Sequence, residues 1–208
     1  MAYRRTELME ERLAETRERI VRAALGLIAR GGYRAASVAA VADDAGVATG
    51  SVYRHFSSKA DLFAEVFRRA SGRELAVVRA VAARTDARPT DRLVAALETF
   101  ARRALSGRRL AYALIAEPAD PAVDEERLRF RRAYRDVFAR LLREGIAAGE
   151  LPEQDVQVVA AALVGAMGEA LVGPLSPSAR TRNPGRLVEA IVRFCTRAIS
   201  REVSYANA

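Results

Sequence analysis

Apolar positions recur along this chain at spacings of three and four, and no stretch alternates as a half-buried strand would. The first helix is expected from about Glu11 to Arg30, with Leu13, Ile20, Ala24, Leu27 and Ile28 on one stripe and Gly31-Gly32 as its stop. Ser37 is placed to cap a short helix, Val38 to Ala45, with Val38, Val41, Ala42 and Ala45 as its apolar face, and Gly46 ends it. A third short helix starts near Ala48-Thr49 and turns Val52 and Phe56 inward. Ser57-Ser58 and Asp61 form the N-cap of a long fourth helix, which carries Phe63, Val66, Phe67 and Ala70 and continues towards Val81. Thr85 to Pro89 is a break. Further helices are expected at roughly 90–105, 108–116, 121–148, 153–173 and 184–202, punctuated by Gly107, Pro118, Gly149, Pro152, Pro174 and Pro184. The expected fold is all-α, about nine helices, with a three-helix head before a helical bundle and frayed termini at 1–9 and 203–208.

Composition narrows the partners only slightly. Half of the 208 residues are hydrophobic and 29% are charged, enough apolar side chains for a buried core. The net charge of +8 favours a polyanionic partner. Residues 1–60, however, hold ten Lys/Arg against seven Asp/Glu, a net of only +3, so local pattern must carry any nucleic-acid argument. Cys195 is the sole cysteine, which excludes an intramolecular disulfide and a cysteine-based zinc cluster. The charged segment Met1 to Arg22 has no apolar signal-peptide core, so a cytoplasmic location is expected. Val156 to Leu175 is the most apolar stretch; Gln157 and Glu169 interrupt it and Gly173-Pro174 closes it, so it is expected as a buried helix and not as a membrane span.

The function is concentrated in residues 37–56, S-V-A-A-V-A-D-D-A-G-V-A-T-G-S-V-Y-R-H-F. A helix-turn-helix needs two short helices crossing steeply over small residues, with a tight turn between them. Ala42 and Gly46 meet those needs, Val47 plugs the hinge, and Val52 and Phe56 pin the second helix to the head. Thr49, Gly50, Ser51, Tyr53, Arg54 and His55 are left for the outer face, where hydroxyls and a guanidinium can address base edges and phosphates. The competing reading is a helical hairpin whose polar face is merely solvated. The preceding helix, the apolar pin and the capped fourth helix weigh against it.

At these residues, Gly31 to Leu62 with the first helix before them, the chain resembles the TetR family of transcriptional regulators. Ser37 and Val41 stand where that family often has Thr and Ile, which preserves the cap and the apolar plug. The resemblance implies that Ser37 touches a phosphate, Thr49, Gly50 and Ser51 face bases, Tyr53 and His55 contact backbone and nearby bases, and Lys59 holds a phosphate. It divides the chain into a DNA-binding domain, 1–58, and a ligand-sensing and dimerisation domain, 59–208.

For the body, candidate effector-facing residues are Phe100, Tyr112, Ile115, Glu117, Tyr134, Phe138, Met167 and Glu169, although aromatics at this spacing are more often plain core. Glu169, in the most apolar helix, calls for an Arg partner, a polar ligand or an exposed position. A small-residue seam at Ala160, Ala161, Gly165, Gly168 and Val172, with a stripe at Leu187, Ile191, Phe194 and Ala198, is the candidate dimer interface. A homodimer would set two recognition helices roughly 34–36 Å apart and read a pseudo-palindromic operator in double-stranded DNA, and an unidentified small-molecule effector in the body would change that spacing. A ligand-independent architectural DNA-binding protein is the alternative. Enzyme motifs, a cofactor fingerprint and metal-ligand spacings are not found, and His55 lacks an evident acid and nucleophile.

Overall fold

The computed structural model describes residues 2–180 and 182–200 and is helical throughout, with nine α-helices among those residues. α1 (Ala2–Gly31) is longer than expected: it starts at Ala2, where a frayed end was anticipated. The anticipated fray at 203–208 lies outside the described residues. Among the described side chains of α1, those that pack inward lie in its C-terminal half and include Ile20, Val21, Ala24 and Ile28. Leu13, expected on the buried stripe, is 43% exposed because α1 extends past the core it serves. Gly32 ends the helix at φ +74, in the left-handed region that favours glycine, and its N–H donates to the Ile28 carbonyl at 2.8 Å. A 3-10 turn at Tyr33–Ala35, unforeseen from the sequence, then tucks Tyr33 against Phe63.

α2 (Val38–Ala45) and α3 (Thr49–His55) complete the head. α4 (Lys59–Ala82) joins it to the body, which consists of α5 (Pro89–Ser106), α6 (Arg108–Ile115), α7 (Pro121–Ala147), α8 (Val156–Leu175) and α9 (Pro184–Ser200). Two hydrophobic cores divide the molecule, and α4 belongs to both. Its Leu62, Phe63, Val66 and Phe67 enter the head core, while Leu75, Val78 and Ala82 enter the body core. The packing is thus continuous across residue 58, where the sequence reading divides the chain.

The body helices keep their expected order with shifted ends. α8 starts at Val156 because the Asp155 carboxylate caps it, accepting from the Gln157 and Val158 N–H groups. It also runs through Pro174 to Leu175, since a proline in the last turn removes only one backbone donor. α8, expected as a buried helix, is buried on one side. It is long and apolar enough to cross a membrane by length and composition, yet only Ala160, Leu163, Met167, Leu171 and Leu175 turn inward, and Val158 on the opposite side is 62% exposed.

Head and body are fastened where α6 meets the end of α1. The Arg109 guanidinium donates to the Gly31 carbonyl at 2.6 Å and to Glu117 Oε1 at 3.3 Å. Glu117 is buried here, and a Cβ on Gly32 would run into both the guanidinium and the carboxylate. Gly32→Ala is therefore expected to destabilise the protein by roughly 2–3 kcal/mol, combining backbone strain with the displaced clamp. Urea denaturation checks this; an unchanged midpoint would mean the clamp yields without cost.

Candidate nucleic-acid interface

Local chemistry fixes α2 and α3 before any partner is considered. Ser37 Oγ accepts from the Ala40 N–H at 3.1 Å, taking one of the donors that a helix start leaves free. Gly46 sits at φ +63 and closes α2, and the Val47 N–H returns to the Ala42 carbonyl at 3.0 Å. Arg19 of α1 braces this turn: its guanidinium donates to the Ala45 carbonyl at 2.8 and 3.2 Å and to the Gly46 carbonyl at 3.1 Å. The sequence carried no local sign of this role, which arises from tertiary contact alone. On the other side, Val52 and Phe56 are 1% and 2% exposed, and the Arg17 guanidinium lies 4.7 Å from the Phe56 ring centroid. Arg17 also donates to Glu65 of α4 at 3.2 Å. Burial would raise the Glu65 carboxyl, but the hydrogen bonds from Arg69 and Arg17 outweigh it and hold the group ionised, below its ordinary value.

Burying that side leaves the other face of α3 open. Thr49, Gly50, Tyr53 and Arg54 are exposed and share one face by helical spacing, with Tyr53 at 52%. Ser51 and His55, four apart, lie half-buried on its flank. Partial burial, then the nearby Arg17 and Arg54 charges, pull the His55 imidazole below its ordinary value, so near neutral pH it is a hydrogen-bonding group and not a cation. Ser37 is exposed at the start of α2. Lys59 opens α4 with its Nζ 5.1 Å from the Phe63 ring centroid, and among the described residues neither Lys59 nor Arg54 has a carboxylate partner. The Ser58 cap holds as expected, while the Asp61 carboxylate accepts from the Ser57 N–H rather than from that of Ser58. Thr49, Gly50, Tyr53 and Arg54 thus form one open face, and Ser37 and Lys59 are exposed on the helices before and after α3. Together they can do two things chemically: offer cations to phosphates and hydroxyl, phenol and guanidinium groups to base edges.

Gly50 is informative through its surroundings. A Cβ there would meet no atom within 4 Å, so the protein's own packing does not require glycine.

The body holds a second candidate site, an apolar cavity of about 140 Å³ between α4, α5, α6, α7 and α8. Of the expected effector-facing residues, Phe100, Ile115, Tyr134, Phe138 and Met167 line it. Burial pushes the Tyr134 hydroxyl up, and its ring meets Phe100 edge-on at 5.1 Å. The other three sit elsewhere. Tyr112 packs on the body core beside Arg109, Glu117 belongs to the clamp between head and body, and Glu169 takes the exposed position, so no buried charge needs compensation. Phe67, Phe130, Leu110, Leu114, Arg127 and Arg131 line the cavity without having been singled out; two of the rings also sit on elements that face the head core.

On the outer faces, Ile191 is buried in the protein's own core, as is Ala160, so neither is available to a partner as expected. Leu187 is half-buried, and Ala198 and Phe194, at 63%, stay exposed. Ala161, Gly165, Gly168 and Val172 line a groove on the α7 side of α8.

Comparison with known proteins finds matches for two stretches of the chain. Residues 20–66 match the family model described as bacterial regulatory proteins, tetR family, and residues 86–171 match a tetracyclin repressor-like C-terminal domain, together more than half of the chain. The HTH-type transcriptional repressor KstR of Mycobacterium tuberculosis is 46% identical over 57 residues, 27% of this chain and 26% of that protein. The chain thus matches only about a quarter of the length of that curated relative. Over the whole fold it is similar to a Bacillus subtilis transcriptional regulator, FadR, solved in complex with stearoyl-CoA. That match has a TM-score of 0.75 and 21% identity, and covers 88% of this chain and 98% of that one. A TetR/AcrR family regulator from Thermobifida fusca gives a TM-score of 0.68 and 28% identity over 90% of this chain and 100% of that one.

Because Gly50 faces open space, Gly50→Ala is expected to raise the stability of the free protein by roughly 0.5–1 kcal/mol, through helix propensity alone. A lower urea midpoint would show that the glycine serves the fold instead.

Proposed function

We propose that this chain, which belongs to the TetR family of bacterial regulatory proteins, is a cytoplasmic one-component repressor that grips operator DNA as a homodimer and is released by a small-molecule effector. One observation carries the DNA-binding part: the polar face of α3 stands clear of the protein, with Arg54 on it and Lys59 at the start of α4 both lacking a carboxylate partner among the described residues, while Val52 and Phe56 are buried behind it. A merely solvated hairpin has no need of Gly50, whereas close approach to a duplex gives the missing side chain a use. The similarity of the head to a transcriptional repressor supports repression as the outcome.

Dimerisation is supported by the uncovered apolar area of α8 and α9. Val158, Ala162 and Ala170 of α8 and Ala190, Phe194 and Ala198 of α9 are exposed, and small residues let helices of a second copy approach closely. Release by an effector is supported by the cavity and by what lines it. Leu110, Leu114 and Ile115 of α6 face the cavity, and Arg109 of the same helix holds the end of α1. A ligand with different affinity for two positions of α6 would bias the position of the head. The B. subtilis neighbour's complex with stearoyl-CoA supports a small-molecule site in such a body. The cavity favours this reading over a ligand-independent architectural protein, whose body needs none.

With DNA selected from a random pool by the purified protein, Tyr53→Ala and Lys59→Ala are expected to weaken binding across all sequences, and Lys59→Ala to lower the salt dependence by about one counterion per head. Thr49→Ala and Arg54→Ala are expected to relax base preference, by about 1–3 kcal/mol where a bidentate contact is lost. Gel shifts unchanged in all four variants would contradict the assignment. Phe194→Arg is expected to convert the dimer to monomer in sedimentation and to abolish tight operator binding; a variant that stays dimeric would exclude this face.

A further inference from the structure

We infer that the effector is a phosphate-bearing amphipath: an apolar group the size of one ring or a chain of about six carbons, joined to a head with two or more negative charges. This inference rests on the effector reading above and assigns a chemistry to it.

The apolar part follows from volume. A cavity of about 140 Å³ is close to the engineered cavity of roughly 150 Å³ that takes up benzene, so a long-chain fatty acyl group is several times too large. Its lining is phenyl rings, Met167 and aliphatic side chains. The charged residues on it are not equivalent. Arg103 is closed in a two-pronged pair with Glu74, at 2.5 and 2.9 Å. Arg127 is committed to the Leu114 carbonyl at 3.0 Å, the Glu117 carbonyl at 2.9 Å and the Asp124 carboxylate. Arg131 alone remains open, without a carboxylate partner among the described residues.

Arg131 also leads out of the cavity. Together with Ile115, Val164 and Gly168 it lines an adjoining groove of about 390 Å³ between α7 and α8, where Arg132 and Arg135 stand beside it. Glu169 is the acidic residue of this groove, which leaves three arginines against one carboxylate. Arg132, like Arg131, has no carboxylate partner among the described residues, and Arg135 donates to its neighbour Asp136 at 3.3 Å while its Nε is buried with no acceptor. A buried unpaired donor costs about 1–3 kcal/mol, and an oxyanion in the groove would relieve it. A carboxylate head would answer one guanidinium; a phosphate presents several oxygens to the forks and offsets the remaining charge. The floor is open, because a Cβ on Gly165 or Gly168 would meet no atom within 4 Å. Gly165 and Glu169 of the groove share the α8 stripe of Val158 and Ala162, so the groove opens beside the proposed dimer face.

Titration calorimetry of the intact protein with hexyl phosphate and hexanoyl-CoA tests this, with hexanoate, coenzyme A alone and stearoyl-CoA as separate arms. At least one of the two phosphorylated six-carbon probes is expected to bind about tenfold or more tighter than hexanoate, coenzyme A and stearoyl-CoA. Arg132→Gln and Arg135→Gln are each expected to weaken that probe about tenfold, with unchanged melting temperature, and added salt to weaken it further. Equal affinity for hexanoate, preference for stearoyl-CoA, or indifference to both substitutions overturns the inference. Gel shifts separate it from the effector reading. Release of DNA by an uncharged apolar compound alone leaves the effector reading standing and removes the phosphate head. Tight hexyl phosphate binding that never releases DNA establishes the site and removes its regulatory role.

Discussion

The burial of Val52 and Phe56 is the constraint on which the rest of the structure depends. α3 has only seven residues, too few to stay helical in water by itself, so it exists because these two side chains are sealed into the head core with side chains of α1 and α2. Each such burial contributes about 1.5–3 kcal/mol, more than any surface ion pair nearby. Sealing one side of so short a helix leaves no choice about the other. The residues between the pins, Tyr53 and Arg54 above all, must face water or whatever displaces it.

The same economy governs the connection to the body. The head core does not end at the helix-turn-helix: it takes in two turns of α4 and, from the body, Ala113 and Val123. A movement of α6 or α7 therefore alters the packing behind α3 without needing a separate linkage. Arg109 strengthens that connection at one point, holding the last carbonyl of α1 from the helix that also walls the cavity. Arg127 of α7 braces that wall, gathering the carbonyls at the end of α6. Arg109 thus ties the cavity wall to the end of α1, and Arg127 ties α7 to the end of α6.

What could be read from the sequence was whatever is decided locally. Gly46 and Gly32 fix turns by backbone conformation, Ser37, Ser58 and Pro121 fix helix starts, and the recognition face follows from two pins four residues apart. These were legible because a single residue type suffices to explain each. The misplacements are tertiary. Leu13 looked like part of a buried stripe, but the core ends before reaching it; Ile191 looked like an interface residue, but α9 turns it into the body. Glu117 was read as effector-facing from composition alone, whereas for Glu169 the sequence left an arginine partner, a polar ligand or an exposed position open. Glu117 instead found an arginine at the clamp, and Glu169 took the exposed position. Arg19 could not be singled out at all among so many arginines, since its role depends on where α2 ends in space. α8 misled for a further reason: hydrophobicity does not say which sides of a helix are covered by its own chain.

The central claim, that the open face of α3 enters a DNA groove, is tested most directly by tethering. Cys195 is the sole cysteine and is buried, so Thr49→Cys introduces a single accessible thiol on that face. Disulfide cross-linking to thiol-bearing bases placed through the major groove of the selected operator should capture this variant at defined positions. The exposed Thr85→Cys control, in the loop between α4 and α5, should give no product. Equal capture of both variants, or none from position 49 under conditions where the operator is bound, would contradict the account.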